Sequence, residues 1–253
     1  MCLIALAHGV SERYPFVLAA NRDEDYERPT RIAEVWEDAP NVVGGRDAVH
    51  GGSWLAVSKS GRFAAVTNLR GAVPRSRSRG LLVRAFVTSA IAPEAFADEV
   101  AREAAEYAGF HLLVGETGRS VVYVASGDAP QVLGHGIYGF SNAPADERWP
   151  KVDLAIEEMR KSVEDPEALL RFLGTRRNSG RVEEEVFIAG DRYGTRASTV
   201  VIATPEQIRF IEQNYLRGGV AAEELFDWSS GRTRGPNPDT WSRQAGPNSG
   251  RRS

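Results

Sequence analysis

The chain has 253 residues, 42% of them hydrophobic and 26% charged, with 25 Gly, 13 Pro and five Trp, which excludes a fibrous, collagen-like or wholly disordered protein. Thirty-one basic residues against 34 acidic ones leave a formal charge of −3, so no overall charge draws the molecule toward nucleic acid or an anionic membrane. The single cysteine, Cys2, forbids an intrachain disulfide or a multi-cysteine zinc site, and residues 1–7 lack a basic leader; with no apolar run long enough to span a bilayer, a cytoplasmic protein is expected.

Residues 2–7 and 16–21 are apolar runs of strand length separated by a break at Tyr14-Pro15, which predicts a hairpin. Further strands are predicted at 34–36, 53–58 and 63–68, the last two joined across Lys59-Ser60-Gly61. Gly44-Gly45-Arg46-Asp47 and Gly51-Gly52 lack the lysine of a phosphate-binding loop and are expected as turns. Residues 80–90 and 93–107 read as helices, the second opening on Pro93. Four strands follow at 110–115, 121–126, 131–133 and 137–141. Residues 150–163 place Val152, Ala155, Ile156, Met159 and Val163 on one helical face, and 166–172 form another helix. A hairpin over 199–203 and 207–215 closes the pattern. Blocks of strands and helices without βα alternation predict an α+β fold with mainly antiparallel sheets. One domain is expected over 1–228. The Gly-, Pro-, Ser-, Asn- and Arg-rich stretch 229–253 is expected to be a disordered tail.

Three features bear chemistry. Cys2 is small enough to follow a removable Met1, and processing would leave a thiol and an α-amine on one residue. That amine, with a reference pKa of about 7.7–8.0, is suited to take the thiol proton near neutrality. Position alone favours the plainer reading, a small hydrophobe opening a strand. Asn21-Arg22-Asp23-Glu24 ends the second strand, and an antiparallel hairpin brings it beside the start of the first. Asn68 and Asn142 end predicted strands, where asparagine serves either as an oxyanion donor or as an ordinary turn residue. The four histidines, His8, His50, His111 and His135, lack ligand spacing. Arg75-Ser76-Arg77-Ser78-Arg79 is a basic loop, either solvated or facing an anionic substrate. Trp54 is expected to be structural, offering its large apolar area to the core.

Taken in order, Cys2, Asn21-Arg22-Asp23-Glu24, Gly51-Gly52-Ser53-Trp54, Thr67-Asn68, Ser141-Asn142 and Tyr193-Gly194-Thr195-Arg196 resemble the NRDE family, also called the transport and Golgi organisation family. The resemblance extends from Cys2 to about Tyr215. That family is similar to cysteine-type N-terminal nucleophile hydrolases such as penicillin V acylases and bile salt hydrolases, which implies a four-layered αββα sandwich. By this likeness Cys2 is the nucleophile and Asp23 the carboxylate that holds the amine. Asn68 supplies the backbone position of the oxyanion hole, Asn142 its side-chain donor, and Arg196 matches a late arginine. Those acylases carry an arginine three residues before the aspartate; here Ala20 stands there, and Arg22 is adjacent to the aspartate instead. The resemblance implies hydrolysis of an amide or thioester of a small acyl substrate, without a cofactor or metal. The alternative it implies is a carrier of haem or of lipid, a hydrophobic cargo held in the same cleft without turnover.

Overall fold

The computed structural model describes residues 2–144, 146–217, 219–229 and 241–245. In chain order the strands are β1 (Cys2–His8), β2 (Phe16–Asp25), β3 (Thr30–Trp36), β4 (Ala39–Asp47), β5 (Leu55–Ser58) and β6 (Arg62–Asn68). Helices α1 (Gly80–Thr88) and α2 (Pro93–Arg102) and a short 3₁₀ turn, Ala104–Glu106, come next, followed by β7 (Phe110–Glu116), β8 (Val121–Ala125), β9 (Gln131–Val132) and β10 (Gly136–Ser141). Helices α3 (Pro150–Ser162) and α4 (Pro166–Leu173) then precede β11 (Tyr193–Ala203), β12 (Gln207–Leu216), β13 (Gly219–Ser229) and β14 (Ser242–Ala245). These elements cluster into two compact units, one of Pro29–Gly136 with Phe140–Arg148, the other of Cys2–Arg28, Ile137–Gly139 and the chain from Trp149 onward.

The first unit holds a seven-stranded sheet in the order β3-β4-β5-β6-β7-β8-β9. Its even-numbered residues, among them Ala56, Ala64, Val66, Leu112, Val114, Val122 and Val124, share one face because side chains alternate along a strand. Helices α1 and α2 cover that face with Leu82, Val83, Phe86, Phe96 and Val100, and Phe86 meets Phe96 edge-on at 5.1 Å between ring centroids. Gly44-Gly45-Arg46-Asp47 is not a turn: it completes β4, whose Val43 and Gly44 pair with Val57 and Ala56. The glycine there answers a packing demand, since a Cβ on Gly45 would lie 2.1 Å from the Trp54 ring. Trp54 thus packs against backbone and stays partly exposed. Gly51 does lie in a turn, with φ at +70°.

Gly52 abuts the start of α1, where the Ser53 N–H donates to the Gly80 carbonyl at 3.0 Å. A Cβ on Gly52 would come within 2.4 Å of the Gly80 carbonyl carbon. Because backbone cannot swing aside as a side chain does, Gly52→Ala should lower stability by about 1–3 kcal/mol, read as a lower midpoint in urea. An unchanged midpoint would show that the loop and α1 separate freely.

The second unit holds another seven-stranded sheet, ordered β10-β1-β2-β11-β12-β13-β14, antiparallel from β1 through β14. Helix α3 packs on β1, and α4 on β2 and β11. On α3, Val152, Ala155 and Met159 are buried as their spacing predicts, but so is Lys151. The α+β class with two antiparallel sheets is as expected, each sheet carrying one pair of helices. The closing hairpin is longer than predicted and continues into β13. Most of 229–253, expected as a tail, lies outside the described residues; within it, 242–245 form β14 on the edge of this sheet.

Candidate active site

In the second unit the β1–β2 ladder sets Cys2 directly across from Arg22, and the β2–β11 ladder sets Arg22 across from Ala197. Opposed residues share a sheet face, so Cys2, Arg22 and Ala197 form one row. All of β1 is buried, Cys2 included. Arg22 is buried as well, with its Nη2 3.7 Å from the Glu24 carboxylate, which lies at the same distance from Arg28 Nε. The hairpin therefore brings Arg22 to Cys2 as the sequence indicated.

Asp23 follows one residue later, so the pleat turns its side chain to the opposite face, that of Asn21. Thr195 stands across from it. The Thr195 hydroxyl donates to Asp23 Oδ1 at 2.6 Å and accepts the Ile188 N–H at 2.9 Å, while the Tyr193 hydroxyl donates to the Asp23 carbonyl at 2.9 Å. Lys151 of α3 is completely buried, with its ammonium 5.3 Å from the Trp149 ring centre. Burial raises the Asp23 carboxyl above its ordinary pKa; the charges of Lys151 and Arg22 and the Thr195 hydrogen bond pull against that rise without cancelling it.

Asn21, the residue before Arg22, is a structural hub. Its Nδ2 donates to the carbonyls of Leu173, at the end of α4, and Val186, both at 2.8 Å, and its Oδ1 accepts the Ser198 hydroxyl at 2.6 Å. Arg196 is the extra residue of a bulge, since Thr195 pairs with Asp23 and Ala197 with Arg22. Its Nη1 donates to the carbonyls of Asp25, Tyr26 and Arg28 at 2.8, 3.0 and 3.4 Å. Arg196 thereby ties down the segment that leaves β2.

Asn68 and Asn142 belong to the first unit. Asn68 is the exposed last residue of β6. Two residues on, the Arg70 N–H donates to the Asn142 carbonyl at 2.8 Å. Asn142 is buried, and its Oδ1 accepts no hydrogen bond among the described residues. A half-turn of the amide exchanges its donor and acceptor ends, so this buried end is able to meet a ligand of either kind. A cleft with a volume of about 590 Å³ lies in the same unit, lined by Leu69, Arg70, Ala72, Asp128, Pro144 and Asp146 among others.

The arginines of the 75–79 loop are engaged with their own unit. Arg77 pairs with Glu103 and Glu106 and lies over the Tyr107 ring, Arg75 donates to the Ala105 carbonyl, and Arg79 donates to that of Gly109. Among the described residues no group of three or more His, Cys, Asp or Glu side chains is placed to hold a metal ion, and no helix is long and apolar enough to cross a membrane. Sequence reasoning missed Lys151, because a lysine on a helix normally faces water, and Asn21, because asparagine reads as a turn residue.

A family model described as transport and Golgi organisation 2 matches residues 1–217. The chain is 32% identical over 241 residues to the Transport and Golgi organization protein 2 homolog of Bos taurus, a match covering 80% of this chain and 87% of that one. It is 34% identical over 167 residues to the Transport and Golgi organization 2 homolog of Mus musculus, covering 62% of this chain but only 60% of that one, less than two thirds of its length. Among solved structures, penicillin V acylase from Agrobacterium tumefaciens aligns with a TM-score of 0.53 over 92% of this chain and 87% of its own, at 11% identity. The alignment establishes likeness of fold alone.

Proposed function

Because the chain belongs to the transport and Golgi organisation 2 family and shares the fold of an N-terminal nucleophile acylase, we propose that it hydrolyses an amide or thioester bond of a small acyl substrate through Cys2. The observation that carries the reading is a buried thiol on the first residue of β1, directly across from the buried Arg22, whose neighbour Asp23 is buried on the other face of the same strand.

In this reading removal of Met1 frees the Cys2 α-amine, which takes the thiol proton. The thiolate attacks the acyl carbonyl. The Asn68 backbone N–H and the Asn142 amide receive the negative charge that develops on the carbonyl oxygen. Collapse of the tetrahedral intermediate expels the amine or thiol, which leaves with the proton held by the α-ammonium, and water then cleaves the acyl-Cys2 thioester. Asp23 orients the amine. Arg22 supplies positive charge on the Cys2 face, in place of the arginine that acylases carry at the position of Ala20. Arg196 contributes by fixing the segment after the Asn21–Glu24 motif.

The test pairs intact mass spectrometry with turnover of a panel of acyl amides, penicillin V among them, and acyl thioesters. Protein beginning at Cys2 should be active, Cys2→Ala should fall to background, and Cys2→Ser should retain at most weak activity. Equal turnover by chains retaining Met1 would refute N-terminal nucleophile catalysis. No turnover together with saturable binding of haem or a lipid would replace this reading with the transport role named for the relatives.

A further inference from the structure

Three consecutive carbonyls flank or belong to Asn142, and each is held by a different donor. The Thr67 hydroxyl donates to the Ser141 carbonyl at 2.9 Å, the Arg70 N–H to that of Asn142 at 2.8 Å, and the His111 ring, through Nε2, to that of Ala143 at 2.8 Å. Thr67 and His111 are themselves directly opposed in the β6–β7 ladder, so two of the three donors stand side by side on one sheet face. The Ser141 hydroxyl closes the turn by accepting the Ala143 N–H at 3.2 Å.

The imidazole is fixed at both ends. A carbonyl only accepts, so Nε2 carries the proton; Nδ1, 2.6 Å from the Tyr123 hydroxyl, then accepts from it. Tyr123 in turn lies parallel to the His111 ring, 5.8 Å between centroids, and contacts Phe140 at 4.9 Å, just before Ser141. Burial holds His111 below the usual imidazole range, against the hydrogen bond to Ala143 and the charge of Asp128. Tyr123, pushed up to about 12 by burial, stays protonated and able to donate.

We propose that His111, locked in its Nε2–H form by Tyr123, is the positioning residue that fixes the Asn142 amide for its role toward the reacting carbonyl. The inference rests on the oxyanion role given to Asn142 above. That role needs an amide held in place before charge develops, because a donor that must reorganise loses much of its effect. Asn142 sits in a short turn, where its Oδ1 has no hydrogen-bond partner among the described residues. The clamp on its neighbouring peptide groups supplies the rigidity that the side chain lacks.

Two reactions of Cys2 separate positioning from general damage. Acyl transfer from p-nitrophenyl acetate expels p-nitrophenolate and passes through a tetrahedral oxyanion. Alkylation by iodoacetamide displaces iodide from a methylene and develops no such charge. Both need the same thiolate, so the ratio of their rates isolates the oxyanion contribution. In protein beginning at Cys2, Asn142→Ala should lower this ratio about 100-fold. His111→Ala should lower it about 10-fold through misplacement of the donor, and His111→Gln, whose amide N–H reaches where Nε2–H does, should restore most of it. Tyr123→Phe, which keeps the ring and removes the hydroxyl, should give an intermediate loss and keeps the test open if His111→Ala does not fold. If Asn142→Ala lowers the ratio but neither His111→Ala nor Tyr123→Phe does, the positioning role is overturned and the proposed function stands. A ratio unchanged in Asn142→Ala, or no acylation of the unsubstituted protein, overturns the oxyanion reading and the inference with it. Equal loss of both reactions in the His111 variants would mark a structural role only.

Discussion

Replacing Lys151 with methionine should destabilise the protein by about 3–5 kcal/mol at neutral pH, the usual effect of removing one partner from a buried charge pair. Methionine nearly preserves volume and apolar contact, so the loss reports charge. Lys151 is fully buried on α3, and its charge acts on the buried Asp23 carboxyl. Without it that carboxyl has less to offset the cost of burial, the positive charges of the chain N-terminus and Arg22 and the Thr195 hydrogen bond remaining. The pH dependence has a definite sign. Asp23 already titrates above its ordinary value of 3.8, so from 3.8 upward the folded state retains a proton that the unfolded chain releases, and this group's contribution to stability falls as pH rises through the folded pKa. Loss of Lys151 extends that window upward. The variant should therefore be closer to the unsubstituted protein at pH 5 than at pH 7 in urea denaturation, and adding Asp23→Asn should recover part of the neutral-pH loss. A pH-independent difference would show that Lys151 acts through packing alone.

Asn21→Ala should cost about 3 kcal/mol or more, because it strands three polar groups at once. The Leu173 and Val186 carbonyls lose their donor and the Ser198 hydroxyl loses its acceptor, in surroundings where Leu173, Val186 and Ser198 are all buried. Asn21→Asp should be no better, since a carboxylate cannot donate to the two carbonyls and brings a charge into their midst. Thermal unfolding measures both variants. A stable but inactive Asn21→Ala protein would move this residue from the scaffold to the chemistry.

Much of the strand and helix pattern was readable because apolar residues recur at the right periods: β1, β2 and β7 as short apolar runs, α3 as a face at helical spacing. The failures have physical causes. Gly44-Gly45-Arg46-Asp47 looked like a turn, because glycine usually supplies backbone freedom; at Gly45 it supplies space for the Trp54 ring. β13 escaped notice because its Glu223-Glu224-Leu225-Phe226-Asp227-Trp228 run pairs like with like instead of alternating, and it stands beside a polar stretch. In the site, the pairing of Cys2 with Arg22 followed from the hairpin, but the opposite facing of Asp23 needed the register. Thr195 hydrogen-bonds Asp23 from 172 positions along the chain and the charge of Lys151 acts on it from 128 positions, interactions that only tertiary structure creates.

The short strand β14 gives the sheet of the second unit its outer boundary. Its Arg243 forks onto Glu224 of β13 through Nε at 2.7 Å and Nη2 at 2.9 Å, and Glu224 is buried directly opposite the buried Glu212. A chain ending at Ser229 would leave β13 with unsatisfied backbone donors and acceptors along its free side, together with two facing carboxylates and no guanidinium between them and solvent. An exposed edge of this kind is a template for pairing with another molecule. The four residues of β14 thus act as a selvedge, a finished border that keeps the sheet from being extended by its neighbours, and shortened versions of the protein should be cut beyond Ala245 rather than before it.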